Sequence, residues 1–341
     1  MHLPDYNFLP GPLWLITLLQ LVTLTLHFVA MNFLFGGLVV ILWGKFTDRW
    51  QHPVVQQQVK LLPTLMAATI TLGVAPLLFL QVVFPKQVYA ASIISGWFWL
   101  AVVPVIIVTY YLLYAAAFAG PENKRRGTYL FLAFLGMLYV AFMFSSVMSL
   151  AEQPELMMRT YAAHQSGCVV NPNIGSYIIR WLHMLFGAVT VGGFFIGLIG
   201  RDNEQAFSVG KGFYLWGMAA AAIMGMVYLF TLGDILLPLM RTPAIWALTI
   251  GIVLSAASLH FYFKKRFCVA GTMLGISMLA MVFTRHTVRL LHLTGQFNPA
   301  EVTVKAQWGP FVMFLICFVI MLGVMVYMIR VFFRERQNAT A

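Results

Sequence analysis

Charge is what this 341-residue sequence has least of. Lys, Arg, Asp and Glu make up 9% of it, against roughly 25% in soluble globular domains. A chain so poor in charge cannot cover itself with a solvated surface. Cysteine is also scarce. Cys168, Cys268 and Cys317 form neither a CxxC pair nor a CxxCH attachment motif, so a covalent c-type heme would have to come from another chain. Cys268 and Cys317 lie in apolar blocks and read as small hydrophobes, while Cys168 is expected unpaired in an external loop. Met1–Gly11 is polar and Pro-rich without a basic start, so no cleavable signal peptide is expected. Short alternating runs of the kind that build membrane barrels are missing too.

Apolar residues are what is abundant. They form 61% of the chain, and the mean hydropathy is +0.86. They come in blocks that reach or exceed the ~20 residues a helix needs to cross the hydrocarbon core. In lipid each backbone N–H and C=O must be satisfied within its own segment, so these blocks are helices. Nine spans are predicted: Leu13–Gly44, Leu61–Phe84, Ser92–Ala119, Thr128–Leu150, Gly175–Gly200, Gly212–Leu237, Ala244–Phe263, Phe267–Leu291 and Pro310–Phe333. No repeat, soluble domain or disordered linker interrupts them. The expected fold is an all-α integral membrane bundle forming one polytopic domain over residues 1–341.

The formal net charge of +11 does not point to nucleic acid, because the cations sit in short loops between apolar blocks. After the odd-numbered spans come Lys45, Arg49 and Lys60; Lys124, Arg125 and Arg126; Arg201 and Lys211; Lys264, Lys265 and Arg266; and Arg330, Arg334 and Arg336. The other side has Lys86, Arg159, Arg180, Arg241, Arg285, Arg289 and Lys305. Basic loops stay cytoplasmic, so the N-terminus is expected outside and the C-terminus in the cytoplasm. The longer outward loops, Ala151–Ile174 and His292–Gly309, are the natural place for a partner to dock.

Ionisable groups within a bilayer are costly and point to function. His27 lies halfway along the first span, His183 in the first turns of the fifth, and His286 near the outer end of the eighth. Imidazole is a common axial ligand to heme iron, and a helix can hold it rigidly toward a bundle interior. Arg180 precedes His183 by three residues and Arg289 follows His286 by three, a spacing that puts each pair on one helix face. Heme propionates need cations, and guanidinium matches a carboxylate in a bidentate manner. Gly187, Gly192, Gly193 and Gly197 follow His183 and would let a macrocycle or another helix approach closely. A lone membrane histidine also serves as an interhelical hydrogen-bonding group, and His27 by itself reads either way. Arg285 reads equally as an interfacial anchor. His260 reads as a snorkelling surface residue beside Lys264, Lys265 and Arg266. His2, His52 and His164 carry no signal, and His292 is a weaker ligand candidate.

Carboxylates are nearly confined to loops. Of the ten acidic residues, Glu152 closes the fourth span and Asp234 lies near the outer end of the sixth. Proton relays through membranes are usually built from Asp, Glu and His, and none is evident from the cytoplasmic side.

Several stretches resemble subunit I of the cytochrome bd quinol oxidases. They are LHFVAMNFLFGG around His27, LGVAPLLFLQVVF in the second span, MSLAEQPE at the end of the fourth, and WLHMLFGAVTVGGFFIGLIGRDNEQAFSVGKGF through to LGD. The resemblance runs over the first six spans and more weakly through the eighth. It implies nine helices with the N-terminus outside, a bacterial cytoplasmic (inner) membrane, and heme-ligand roles for His27 and His183. In the eighth span, aligning Arg289 with that family's Gly-Arg-Gln-Pro-Trp arginine puts His286 where the family has a heme-ligating Glu. The chain departs from the family at several points. LLPLMRTPA replaces the long quinol-binding loop, the acidic residues of the third helix are missing, and Gly-Arg-Gln-Pro-Trp is absent. Met240 lies one turn before the position of the family's Met ligand.

The resulting expectation is a membrane-embedded b-type cytochrome subunit of a respiratory complex, carrying heme b, more than one copy, with quinone as a further ligand. It would pass electrons between the quinone pool and an extra-cytoplasmic partner such as a c-type cytochrome or another redox subunit. The expected outer cluster is His183, His286, Arg180, Arg241, Arg285 and Arg289, with His27 deeper. Two alternatives belong to other classes: a bd-type terminal quinol:oxygen oxidoreductase, and a cofactor-free transporter or anchor subunit.

Overall fold

The structure is a computed structural model that describes residues 8–47 and 49–340, without the side chains of 329 and 332–340. His2, Asp5 and Asp48, and the side chains of Arg334, Glu335 and Arg336, lie outside the described residues. Among those described, nine helices are long and apolar enough to cross a membrane, and no strand occurs beyond a single bridge between Leu9 and Val304. Nine long helices carry the spans: α1 (Leu13–Phe46), α2 (Pro53–Val83), α4 (Gly96–Phe118), α5 (Arg126–Leu150), α7 (Ile178–Ile199), α8 (Glu204–Thr231), α10 (Ala244–Phe263), α11 (Phe267–His292) and α12 (Trp308–Thr340). Three short helices, α3 (Pro85–Ile94), α6 (Pro154–Ala163) and α9 (Leu236–Met240), lie in connections at the end of the bundle where α1 begins.

The predicted spans match in number, and their ends shift for local reasons. Helix α2 starts eight residues early, because Pro53 can occupy a first helical turn and His52 Nδ1 accepts the Val54 N–H at 3.3 Å. The expected span Ser92–Ala119 is divided at Ser95. There a buried Ser95 hydroxyl donates to the Val169 carbonyl at 2.7 Å, fixing a turn between α3 and α4. Helix α8 starts at Glu204, eight residues before Gly212, where the Asn203 side chain caps the Ala206 N–H at 2.9 Å. It ends at Thr231, short of Leu237, and Gly233 follows with a positive φ of 54°.

Helix α1 is the central element, packing on α2, α7, α11 and α5. Lipid offers little hydrophobic drive for helices to associate, so small residues that bring backbones together matter most. A Cβ on Gly36 of α1 would lie 2.9 Å from the Gly192 Cα of α7, and one on Gly210 of α8 would lie 2.7 Å from the Gly197 Cα. Tyr262 of α10 ties that helix to the α7–α8 pair: it and Tyr214 of α8 are both fully buried, with ring centroids 4.4 Å apart. The Tyr262 hydroxyl donates to the Gly193 carbonyl at 3.0 Å. Helix α12 stands at the edge, touching α2 where Phe314 meets Phe79 edge-on at 5.2 Å.

Candidate functional site: two braced histidines and a buried arginine cluster

His27 and His183 are held by the same device. His27 Nδ1 lies 2.9 Å from the Thr69 carbonyl oxygen of α2, and His183 Nδ1 lies 2.7 Å from the Ala221 carbonyl oxygen of α8. A carbonyl can only accept, so Nδ1 carries the proton in each ring and Nε2 keeps its lone pair. In both cases a glycine follows the accepting residue by four positions and lies against the ring. A Cβ on Gly73 would come within 2.9 Å of the His27 Cε1 and Nδ1, and one on Gly225 within 3.0 Å of the same atoms of His183. Among the described residues neither Nε2 takes part in a hydrogen bond. A neutral imidazole with its second nitrogen anchored to a carbonyl is how metal-ligating histidines are oriented.

Of the glycines that follow His183, three make helix contacts: Gly192 meets α1, Gly193 meets α8, and Gly197 meets Tyr262. Gly187, one turn beyond His183 on α7, has open space where its side chain would be.

Arg180, Arg285 and Arg289 come together around Glu152, the residue that closes the fourth span. Glu152, just past the end of α5, is 5% exposed. It receives Arg285 Nη2 on both carboxylate oxygens, Arg289 Nε at 3.1 Å and Arg180 Nη1 at 3.6 Å. Arg180 also donates to the Ser145 carbonyl at 3.1 Å. Burial pushes the Glu152 carboxyl up, but the three guanidiniums outweigh it and hold it at about 2. Arg180 is buried and Arg285 and Arg289 are partly buried, so three cations facing one anion leave two positive charges in the cluster. Two donors-in-waiting border it: Arg285 Nη1 and His286 Nδ1 are buried with no partner among the described residues.

Among the described residues no hydrogen bond or ion pair joins the other candidates to this cluster. Met240 is 55% exposed at the end of α9, and Arg241 is exposed next to it. His260 is exposed at the far end of α10, and His164 is exposed in the segment between α6 and α7. Among the described residues no three His, Cys, Asp or Glu side chains gather as a metal-ion site. Axial ligation of heme iron needs only one or two such groups.

These residues fit a heme in two respects. Nε2 of His27 and of His183 is presented without a competing partner, and the cluster near α7 and α11 has surplus positive charge of the kind propionates satisfy. No protein-family model matches the chain, and no curated protein matches its sequence.

Proposed function

We propose that this chain is the b-heme electron-transfer subunit of a respiratory membrane complex. The carbonyl-braced pair His27 and His183 is the observation that supports it most. Two unrelated interfaces, α1–α2 and α7–α8, spend a backbone carbonyl and a glycine to hold an imidazole in one tautomer. A structural histidine would more simply use both nitrogens to satisfy neighbours.

In this proposal His27 and His183 would hold the irons of two b hemes through Nε2. Thr69 and Ala221 fix the ring planes and raise the basicity of the ligating nitrogens. Heme b, when bound, supplies one-electron transfer. Arg180, Arg285 and Arg289 balance propionate charge, and Glu152 keeps those guanidiniums from repelling one another before heme arrives.

Orientation and partners follow the charge asymmetry. The basic loops around Lys45, Lys124 and Lys264 would face the cytoplasm, so Glu152 and its arginines lie on the outer side of a bacterial inner membrane. Electrons would then pass between the quinone pool and an outer partner, a c-type cytochrome or another redox subunit, docking on the segments around α6 and between α11 and α12. Purified wild-type, His27→Ala and His183→Ala proteins, assayed for heme per chain as the pyridine hemochrome, test the assignment. Each substitution should remove one heme equivalent, and unchanged stoichiometry in both would overturn it.

A further inference from the structure

The three membrane histidines are not alike. His27 and His183 each give Nδ1 to a carbonyl on the next helix. His286 has no such brace. Among the described residues its Nδ1 is buried without a partner, the residue is 8% exposed, and its ring meets that of Phe84 at a centroid distance of 6.2 Å. An unbraced imidazole can rotate and change tautomer, which suits a ligand poorly.

Its neighbours are those of an anion site. Arg285 precedes it in the chain and Arg289 follows one turn later. Both are bonded to Glu152, which satisfies Arg285 through Nη2 alone and leaves Nη1 as a second buried, unpartnered donor. A buried donor without an acceptor is destabilising, and Nδ1 of His286 is a donor in one of its two neutral tautomers, so Arg285 Nη1 and His286 Nδ1 beside surplus positive charge together suit an acceptor that bears negative charge. Phe84 completes one side, with the Arg289 guanidinium 5.6 Å from its ring centre. A carboxylate meets this need, being an anion that can accept from two nitrogens at once.

We infer that Arg285 Nη1 and His286 Nδ1 form the carboxylate-binding end of the heme site, so that His286 donates to a heme propionate instead of ligating iron. The inference rests on the heme proposal above and sharpens it, since it leaves His27 and His183 as the iron ligands. His286 is then a positioning residue. Its N–H offsets propionate charge, and hydrogen bonds around a heme tune its potential.

The test compares His286→Ala and His286→Gln with wild type in heme content and in the midpoint potential of each heme by redox titration. Gln keeps a donor but is a poor iron ligand. His286→Ala should keep all hemes and lower one midpoint potential, because the uncompensated propionate favours the ferric state. His286→Gln should keep all hemes and recover most of that shift. If His286→Ala fails to assemble, retention of full heme content by His286→Gln still supports the donor role. Loss of one heme equivalent in both variants overturns it and makes His286 a ligand, as does full heme content with unchanged potentials make it a bystander. A wild-type protein without heme would instead remove the heme proposal itself.

Discussion

Across the α7–α8 interface, His183 donates its Nδ1 proton to the Ala221 carbonyl oxygen at 2.7 Å, and Gly225, one turn along, leaves the space in which the ring sits. The same arrangement recurs between His27 and Thr69 with Gly73. Its consequence is a pair of imidazoles whose free nitrogens point in directions set by backbone, which side-chain rearrangement cannot easily change.

That geometry predicts an effect of adding one methyl group. In Gly225→Ala the new Cβ would stand 3.0 Å from the His183 ring and push it off the carbonyl. Alanine favours a helix over glycine by about 1 kcal/mol, so the fold should hold. Heme content should fall toward one equivalent fewer than wild type, with the low-spin signal of the His183 site altered in electron paramagnetic resonance. Gly73→Ala should do the same for the His27 site, where the clash is closer at 2.9 Å. Wild-type heme content and spectra in both variants would show that the braces do not position ligands.

Glu152 should matter for stability more than any other carboxylate. Glu152→Gln leaves the buried Arg180 and the partly buried Arg285 and Arg289 without a counter-charge, and removal of one partner from a fully buried pair costs about 3–5 kcal/mol at most. The purified variant should melt well below wild type in the same detergent.

The same residue sets a pH dependence. Its folded-state value is depressed from 4.5 to about 2, so the unfolded chain binds the proton more readily. The stabilisation is therefore fully present above pH 4.5 and is lost as pH falls toward 2. Melting temperature should drop over that interval in wild type and drop less in Glu152→Gln. Equal acid sensitivity of the two proteins would show that the cluster does not couple to protons.

Orientation can be read from a native cysteine. Cys168 is free and exposed in the segment between α6 and α7, on the side where α1 begins. With the N-terminus outside, a membrane-impermeant maleimide added to spheroplasts should label Cys168, and Cys168→Ser should abolish the label. Labelling of Cys168 only after the cells are opened would invert the topology.

Most of the bundle was legible in the sequence because a bilayer imposes a length on each apolar block. The nine blocks and their order stand among the described residues. Span edges were less legible. The polar run after Pro53 continues α2 because Gln58 and Val59 turn inward, which hydropathy cannot register. The short helices α3, α6 and α9 lack the length that made the spans visible.

The candidate site was legible in part. Spacing linked Arg180 to His183 and Arg289 to His286, and the structure brings the three arginines Arg180, Arg285 and Arg289 to one point. Their common partner Glu152 was seen only as the end of a span. A charge count would have found it, since three arginines at the ends of apolar blocks require a nearby anion. Met240 entered through its place one turn before the family's Met ligand and Arg241 through its place on the outer side, and both are exposed at the end of α9. The carbonyls of Thr69 and Ala221 carry no side-chain signature, so only coordinates could pair them with His27 and His183.

The central claim is that the braced histidines carry heme, and the dithionite-reduced minus oxidised visible spectrum of the purified protein, with acid extraction of the cofactor, tests it most directly. Sharp b-type α-bands with extractable protoheme are the predicted result. A flat difference spectrum with no extractable heme, from protein purified out of heme-replete cells, would contradict it.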